Sequence, residues 1–175
     1  MPLSFDPIAE ARRNWEAHGW GAADQMSAAT SITRAHQILL QRIDAALEPH
    51  GLVFSRFEAL ALLSFSRTGS LPLGKIGDRL QVHPTSVTNT IDRLEADGLV
   101  ARVPHPTDRR TTLAQLTGAG RAVVTDAAAT LADIGYGLDG MSDLETSRTD
   151  TALVALRRAA GDFPRDPPGR TTGPH

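Results

Sequence analysis

The chain has 175 residues, of which 41% are hydrophobic, 22% are charged and 5% are aromatic, and it contains no cysteine. This length is typical of one domain or a compact pair of subdomains, and a low aromatic content favours packed helices over a sheet-rich fold. The absence of cysteine excludes disulfides, thiolate nucleophiles and sensing by thiol oxidation.

Charge is distributed unevenly along the chain, although the net charge is only -2. Residues 67–121 contain eight Lys or Arg against five Asp or Glu, so the middle third is the basic part. No stretch approaches the roughly 18 apolar residues of a membrane helix, and the first residues lack a signal-peptide pattern. We therefore expect a soluble cytoplasmic protein with no membrane partner.

Two amphipathic helices are predicted near the N-terminus, over residues 6–17 and 26–47. Apolar residues in the longer helix recur at spacings of three and four, which indicates one buried stripe. Its members are Ile32, Ala35, Leu39, Ile43 and Ala46. Pro49 and Gly51 then end the helix.

Three further helices are predicted in the middle of the chain. The first begins at Ser55, which forms a capping-box pattern with Glu58. A short helix covers residues 73–80, and after only three residues Pro84 begins another helix that ends at Asp97 and Gly98. Two helices joined so tightly are typical of a helix-turn-helix.

A β-hairpin and two more helices complete the predicted elements. Residues 99–103 and 111–116 are rich in strand-forming residues and flank a turn-prone segment. Thr117 caps a helix over residues 119–138, and the Ser142–Glu145 capping box begins a last helix that reaches about residue 160. Residues 161–175 are rich in proline and glycine, and we expect them to be disordered.

Short polar side chains occupy one face of the helix that begins at Pro84. With its apolar residues turned inward, the opposite face carries side chains suited to base edges and phosphates. These are Thr85, Ser86, Thr88 and Asn89. Such a run is also typical of a solvated helix face. With the hairpin that follows, the two helices form a winged helix-turn-helix, a motif whose second helix enters the major groove of DNA. We therefore favour DNA contact over a solvated face for these four residues.

The run from residue 83 to residue 121 resembles the MarR-type transcriptional regulators. The resemblance is carried by short motifs at matching spacings: Ser86-Val87-Thr88, Asp92-Arg93-Leu94-Glu95, Gly98-Leu99-Val100, Asp108-Arg109-Arg110, Leu116-Thr117 and Gly120-Arg121. The order of helices over residues 26–160 is similar as well. The resemblance implies a homodimer in which the first and last helices of two chains interlock, and each chain binds half of a pseudo-palindromic site in double-stranded DNA.

The resemblance also implies roles for individual residues. Base contacts fall to Thr85, Ser86, Thr88 and Asn89, and a wing arginine reaches the minor groove. Arg110 is favoured for the wing contact because the family's wing pattern is Asp, any residue, Arg, and Asp108 would then orient its guanidinium. Arg109 is expected either to contact a phosphate or to remain solvated.

Many relatives release DNA when an aromatic or anionic compound binds, so the resemblance implies a small effector of that kind. Trp15, His36 and Glu58 are the candidate effector contacts. Ordinary packing is the alternative role for Trp15 and His36, and helix capping is the alternative for Glu58.

Together these observations predict a mainly α fold of about six helices with a β-hairpin wing. We expect N-terminal dimerisation helices (1–50), a winged helix-turn-helix domain (51–117), C-terminal dimerisation helices (118–160) and a tail (161–175). The predicted function is a ligand-responsive, sequence-specific repressor; the alternative is a dimeric architectural DNA-binding protein without an effector. No catalytic motif or metal-ligand spacing occurs, so we expect no enzyme activity, metal or cofactor.

Overall fold

The computed structural model describes residues 3–108 and 110–163. It consists of two compact units, Met1–Gly137 and Leu138–His175. In the described residues, the first unit contains six α-helices and a three-stranded sheet, and the second contains one α-helix. The predicted winged helix-turn-helix, mainly α, is confirmed.

The first two helices, α1 (Pro7–Ala17) and α2 (Ala23–Leu47), form a helical hairpin. Asp6 caps α1 by accepting a hydrogen bond from the Ile8 N–H at 2.9 Å. The Trp15 Nε1–H donates to the Gly21 carbonyl at 2.9 Å, which ties α1 to the turn before α2. Both predicted helices are present, and α2 begins three residues earlier than expected.

The next helix, α3 (Phe54–Ser64), begins one residue before Ser55, so the predicted capping box is wrong. Val53 is the cap residue and makes no side-chain cap hydrogen bond. Instead the Phe54 N–H donates to Asp44 Oδ1 on α2 at 2.7 Å. A carboxylate ten residues away thus replaces the local acceptor that the sequence pattern suggested, and Glu58 is left free of a capping role.

The helix-turn-helix consists of α4 (Leu73–Leu80) and α5 (Pro84–Ala96). Gln81 turns the chain with a positive φ of 55°. Helix α5 begins as predicted at Pro84, and the His83 side chain caps it. A Cβ at Gly77 would lie only 3.2 Å from Val87 Cγ2, so the absence of a side chain there lets the two helices approach closely.

Three short strands form an antiparallel sheet of order β1-β3-β2: β1 (Ser70–Pro72), β2 (Val100–Pro104) and β3 (Thr112–Leu116). The β2–β3 hairpin is the predicted wing, within one residue at each strand end. Strand β1 was not predicted, because three residues that include a proline are too short to show an alternating pattern. It pairs with β3 and anchors the wing to the chain before α4.

One continuous apolar core fixes the orientation of α5. Its apolar face is buried as predicted, with Val87 at 3% exposure and Ile91 and Leu94 at 0%. These side chains belong to the same core cluster as Leu60 of α3 and Ile76 of α4. Because the inward face is fixed by burial, the opposite face of α5 must point to solvent.

The sixth helix, α6 (Gly118–Asp133), begins as predicted with Thr117, which accepts a hydrogen bond from the Gly120 N–H at 2.9 Å. It ends five residues earlier than predicted. Gly135, Tyr136 and Gly137 all have positive φ values, 52°, 55° and 78°, which right-handed helix cannot accommodate. The Arg42 guanidinium donates to the Gly137 carbonyl at 2.7 Å and holds this break in place.

The second unit is built on α7 (Asp143–Ala159). The predicted capping box is confirmed: Ser142 Oγ accepts from the Glu145 N–H, and Glu145 accepts from the Ser142 N–H at 2.8 Å. Hydrogen bonds from the Ser142 hydroxyl and backbone lower the pKa of Glu145. None of the α7 residues is buried. Most of the predicted disordered tail, residues 164–175, lies outside the described residues.

Gly120 provides a test of the joint between the wing and α6. A Cβ at this position would overlap the Leu99 carbonyl oxygen and crowd Leu116 Cδ1. We expect Gly120→Ala to lower the free energy of unfolding by roughly 1–3 kcal/mol, the usual cost of overpacking a core. Urea denaturation followed by circular dichroism measures this change in the free energy of unfolding.

Gly118→Ala is the matched control for this substitution, because it lies in the same helical turn and no heavy atom would lie within 4 Å of its Cβ. We expect its free energy of unfolding to stay within about 0.5 kcal/mol of the unmodified chain. Equal losses in the two variants would contradict the assigned packing.

Candidate nucleic-acid interface

The structure brings the four predicted base-contacting residues to the exposed face of α5, within its first two turns. Thr85, Ser86, Thr88 and Asn89 are all exposed, whereas Val87 between them is buried. Thr88 Oγ1 donates to the Pro84 carbonyl at 3.1 Å, which leaves its lone pairs available as acceptors. The Ser86 and Asn89 side chains make no hydrogen bond to any described residue. Their assignment to DNA remains a prediction.

His83 adds a further polar group at the N-terminus of α5. Its Nδ1 accepts a hydrogen bond from the Thr85 N–H at 3.2 Å. A nitrogen that accepts a hydrogen bond carries no proton, so the neutral ring is protonated at Nε2. That N–H can donate to a phosphate oxygen beside the positive end of the helix dipole.

The tip of the wing is organised around Asp108. Its Oδ1 accepts from the Arg110 backbone N–H at 3.0 Å, and its Oδ2 accepts from the Thr111 hydroxyl at 2.6 Å. The Thr111 hydroxyl, followed by the Arg110 N–H, lowers the pKa of Asp108. Asp108 thus closes the turn of the wing through the Arg110 backbone and the Thr111 hydroxyl, and its predicted bond to the Arg110 guanidinium remains a prediction.

The two predicted wing arginines differ in what the structure shows. Arg110 is exposed, at the turn that Asp108 closes. Arg109 lies outside the described residues. Which of the two enters the minor groove is left open by this geometry.

An ion-pair cluster that the sequence analysis missed joins the wing to α5. Arg102 on β2 donates to Asp92 Oδ1 at 2.6 Å and to Glu95 Oε2 at 2.5 Å. Its backbone N–H also donates to Glu95 Oε1 at 3.0 Å. One arginine thus holds two carboxylates of α5 and fixes the angle between helix and wing.

The sequence indicates the two carboxylates of this cluster but not the arginine that pairs with them. Asp92 and Glu95 are three residues apart and therefore share one face of α5. Local sequence does not reveal which of several nearby arginines lies opposite them, because that depends on the strand register of the wing. A second pair, Arg56 with Asp97 at 3.0 Å, likewise joins α3 to the end of α5.

The three predicted effector contacts lie in different surroundings. Trp15 makes its indole hydrogen bond to the backbone of Gly21 and lies edge-on to Trp20, with ring centroids 4.8 Å apart. His36 is exposed on α2. Of the three, only Glu58 lines the cavities beside α3.

Glu58 borders two cavities within the first unit. The smaller, about 320 Å³, lies among α3, α4 and α5; the larger, about 750 Å³, is a mainly apolar groove along α3 and α6. Burial raises the pKa of the Glu58 carboxyl. Among the described residues, nothing forms a hydrogen bond or ion pair with it.

The described residues contain no group of three or more His, Asp or Glu positioned to hold a metal ion. None of the helices in that part of the chain has the length and apolar character needed to cross a membrane.

Arg102→Met tests the link between helix and wing. The variant leaves Asp92 and Glu95 without their cation, so two uncompensated negative charges remain on α5, the helix predicted to contact DNA. We expect the affinity for duplex DNA to fall several-fold, while the free energy of unfolding falls by only about 1 kcal/mol, because such pairs are partly exposed. Fluorescence anisotropy and urea denaturation measure the two effects.

Arg12→Met is the matched control for Arg102→Met, since Arg12 also pairs with two carboxylates, Glu16 and Asp24, but on α1 and α2. We expect it to leave DNA affinity unchanged. If both variants lost DNA affinity to the same degree, the specific role of Arg102 would be refuted.

The raised pKa of Glu58 predicts a pH-dependent stability. A carboxyl whose pKa is higher in the folded state stabilises the fold fully below its unfolded pKa, and that stabilisation is lost as pH rises through the folded value. Glu58→Gln removes the buried charge, so we expect its melting temperature to exceed that of the unmodified chain at pH 7.5. The difference should shrink as the pH is lowered to 4; a difference independent of pH would contradict the burial effect.

Known proteins share both the sequence pattern and the fold. The model of the MarR family matches residues 54–112, which include α3, the helix-turn-helix and most of the wing. Sco5413 of Streptomyces coelicolor, a MarR family transcriptional regulator, is 51% identical with a TM-score of 0.75, and the match covers 81% of this chain and 99% of that one.

Two further relatives extend the comparison. The transcriptional repressor MdtR of Bacillus subtilis is 34% identical over 103 residues, which are 57% of this chain and 64% of MdtR, just under two thirds of its length. The regulator MosR of Mycobacterium tuberculosis, solved in complex with DNA, is 27% identical with a TM-score of 0.65 and coverage of 77% and 96%. With its winged helix-turn-helix and its likeness to Sco5413 over nearly that whole chain, this chain belongs to the MarR family of transcriptional regulators.

Proposed function

We propose that this regulator is a ligand-responsive repressor that binds a pseudo-palindromic operator as a homodimer. The observation that carries the DNA-reading part is the exposed face of α5, where Ser86 and Asn89 offer hydrogen-bonding groups that have no partner in the part of the chain the structure describes. The wing closed by Asp108 lies next in the chain and supplies an exposed arginine, Arg110. The complex of MosR with DNA supports the same use of the fold.

The terminal helices support the homodimer. Helix α7 buries no residue, and its apolar residues Leu144, Leu153 and Leu156 are exposed by 59%, 36% and 52%. Helix α2 buries only Ile43 and Leu47 among its 25 residues. Apolar surface of this extent is unfavourable in water and is covered in symmetric dimers by a second copy.

The mass in solution tests the dimer. Light scattering coupled to size exclusion should give about twice the chain mass of 18.7 kDa at micromolar concentration. A species of one chain mass under those conditions would contradict the dimer.

Repression and an effector response are the finer parts of the proposal. The name of MdtR as a repressor supports repression. The cavities beside Glu58 supply a place for a small molecule close to α5. The alternative, an architectural DNA-binding protein, needs no such response. Titrating a panel of aromatic acids and amines into a gel-shift assay distinguishes the two, because an architectural protein would be unaffected by every compound.

Selection of bound duplexes from random DNA should yield a pseudo-palindromic sequence. A duplex of that sequence, called the selected duplex below, permits a test of the individual contacts. We expect Asn89→Ala to lose about 1–3 kcal/mol of discrimination between the selected duplex and a scrambled one, because an amide can bond two base atoms at once. Arg110→Ala should instead weaken binding to both duplexes and reduce the salt slope by about one unit, because it contacts charge rather than sequence. Competition binding at several salt concentrations measures both.

Arg109→Ala serves as the comparison for the wing. An Asn89→Ala protein with undiminished discrimination would remove Asn89 from the reading residues. A salt slope that changed in Arg109→Ala but not in Arg110→Ala would transfer the wing contact to Arg109. Circular dichroism spectra of all three variants confirm that they are folded.

A further inference from the structure

The cavity among α3, α4 and α5 combines an apolar interior with one carboxyl group. The core residues Ala59, Ile76, Val87 and Ile91, at most 3% exposed, form its floor, and the more exposed side chains of Leu80 and Val82 form its apolar walls. The volume of about 320 Å³ lies within the range of small-molecule sites in proteins. A ring system of one or two fused aromatic rings is the size of ligand that such a cavity holds.

Within residues 3–108 and 110–163, the polar groups of this cavity have no partners. Glu58 makes no hydrogen bond or ion pair with the described residues, and the side-chain hydroxyls of Ser55, Ser86 and Thr90 likewise make none. A partly buried carboxylate normally has a cation or several donors beside it. All four polar groups can accept hydrogen bonds, the three hydroxyls can also donate one each, and no Lys, Arg or His of the described residues lines the cavity.

The electrostatics of the cavity therefore favour a positively charged ligand. Ser86 lies in the first turn of α5, where the helix dipole contributes about half a positive charge. That partial charge does not offset the full negative charge of an ionised Glu58. An aromatic carboxylate would be repelled, whereas an ammonium group would find a carboxylate and hydroxyl acceptors together.

From this arrangement we propose that the cavity beside Glu58 binds a small lipophilic cation, an aromatic amine in its protonated form. Glu58 pairs with the ammonium group, the hydroxyls accept its remaining N–H bonds, and the apolar walls cover the ring. This departs from the anionic effector that the family resemblance implied.

Occupation of this cavity also affects DNA binding, and this part rests on the proposed function. Ser86 and Thr90 belong to α5, the helix assigned to base reading. A ligand that takes the Ser86 hydroxyl and packs behind α5 competes with the bonds that the same residue offers to DNA. Linkage then requires the amine and the operator to weaken each other's binding by the same factor.

Isothermal titration calorimetry with two probes of opposite charge tests the binding site. We expect 1-naphthylmethylammonium to bind the full-length protein and 1-naphthoate not to bind. Glu58→Gln keeps the shape of the side chain and removes its charge, so it should weaken amine binding by about tenfold or more. Glu10→Gln is the matched control, because it makes the same change of charge on exposed α1 and should leave amine binding unchanged.

Three results of the calorimetry would contradict the proposed binding site. Failure of the amine to bind, equal binding of both probes, or undiminished binding to Glu58→Gln would each overturn the site. The comparison of the two probes on the unmodified protein does not depend on how well any variant folds. Neither does it involve DNA, so its failure leaves the operator proposal intact.

A gel-shift titration with the selected duplex tests the linkage. Saturating amine should lower the affinity of the unmodified protein for DNA by about fivefold or more, and it should leave Glu58→Gln unaffected. The latter comparison corrects for direct binding of the amine to DNA. An affinity that did not change at saturating amine would overturn the linkage, whereas a protein that bound no selected duplex at all would overturn the proposed function.

Discussion

The burial of one face of α5 is the constraint on which the rest of the structure depends. Ile91 and Leu94 are fully buried, so the helix cannot rotate about its axis without exposing them to water. Exposing two such side chains costs about 1.5–3 kcal/mol each, which is a large fraction of the stability of a domain this size. The outward direction of Asn89 follows from this core, and the polar face needs no interaction of its own to hold it in position.

The ion pairs of Arg102 fix the position of the wing relative to α5, in addition to the burial of the α5 apolar face. Apolar packing fixes the rotation of α5, and the ion pairs join the wing to this helix. Arg102 on β2 holds Asp92 and Glu95 of α5. It also neutralises carboxylates that would otherwise repel DNA. Beside the same helix, the Glu58 carboxyl of α3 borders a cavity and has no hydrogen-bond or ion-pair partner among the described residues.

The sequence predicted the elements that depend on local patterns. The start of α5 at Pro84, the caps at Thr117 and Ser142 and the apolar stripe of α5 all follow from neighbours within a few residues. The errors arose where a distant residue decided the outcome. Asp44 replaced the local cap of α3, and Arg102 found its carboxylates through the strand register. The roles in DNA binding rest on exposure and chemistry, and sequence alone does not show which groups remain unpartnered.

The proposed role of α5 requires its exposed face to contact base edges while its core face remains packed as in the free protein. A crystal structure of the dimer bound to its selected duplex tests this most directly. We expect α5 to lie in the major groove, with the Asn89 amide about 2.7–3.2 Å from a base edge and Ile91 still buried. A complex in which α5 faced solvent, or in which Asn89 contacted no base, would contradict it.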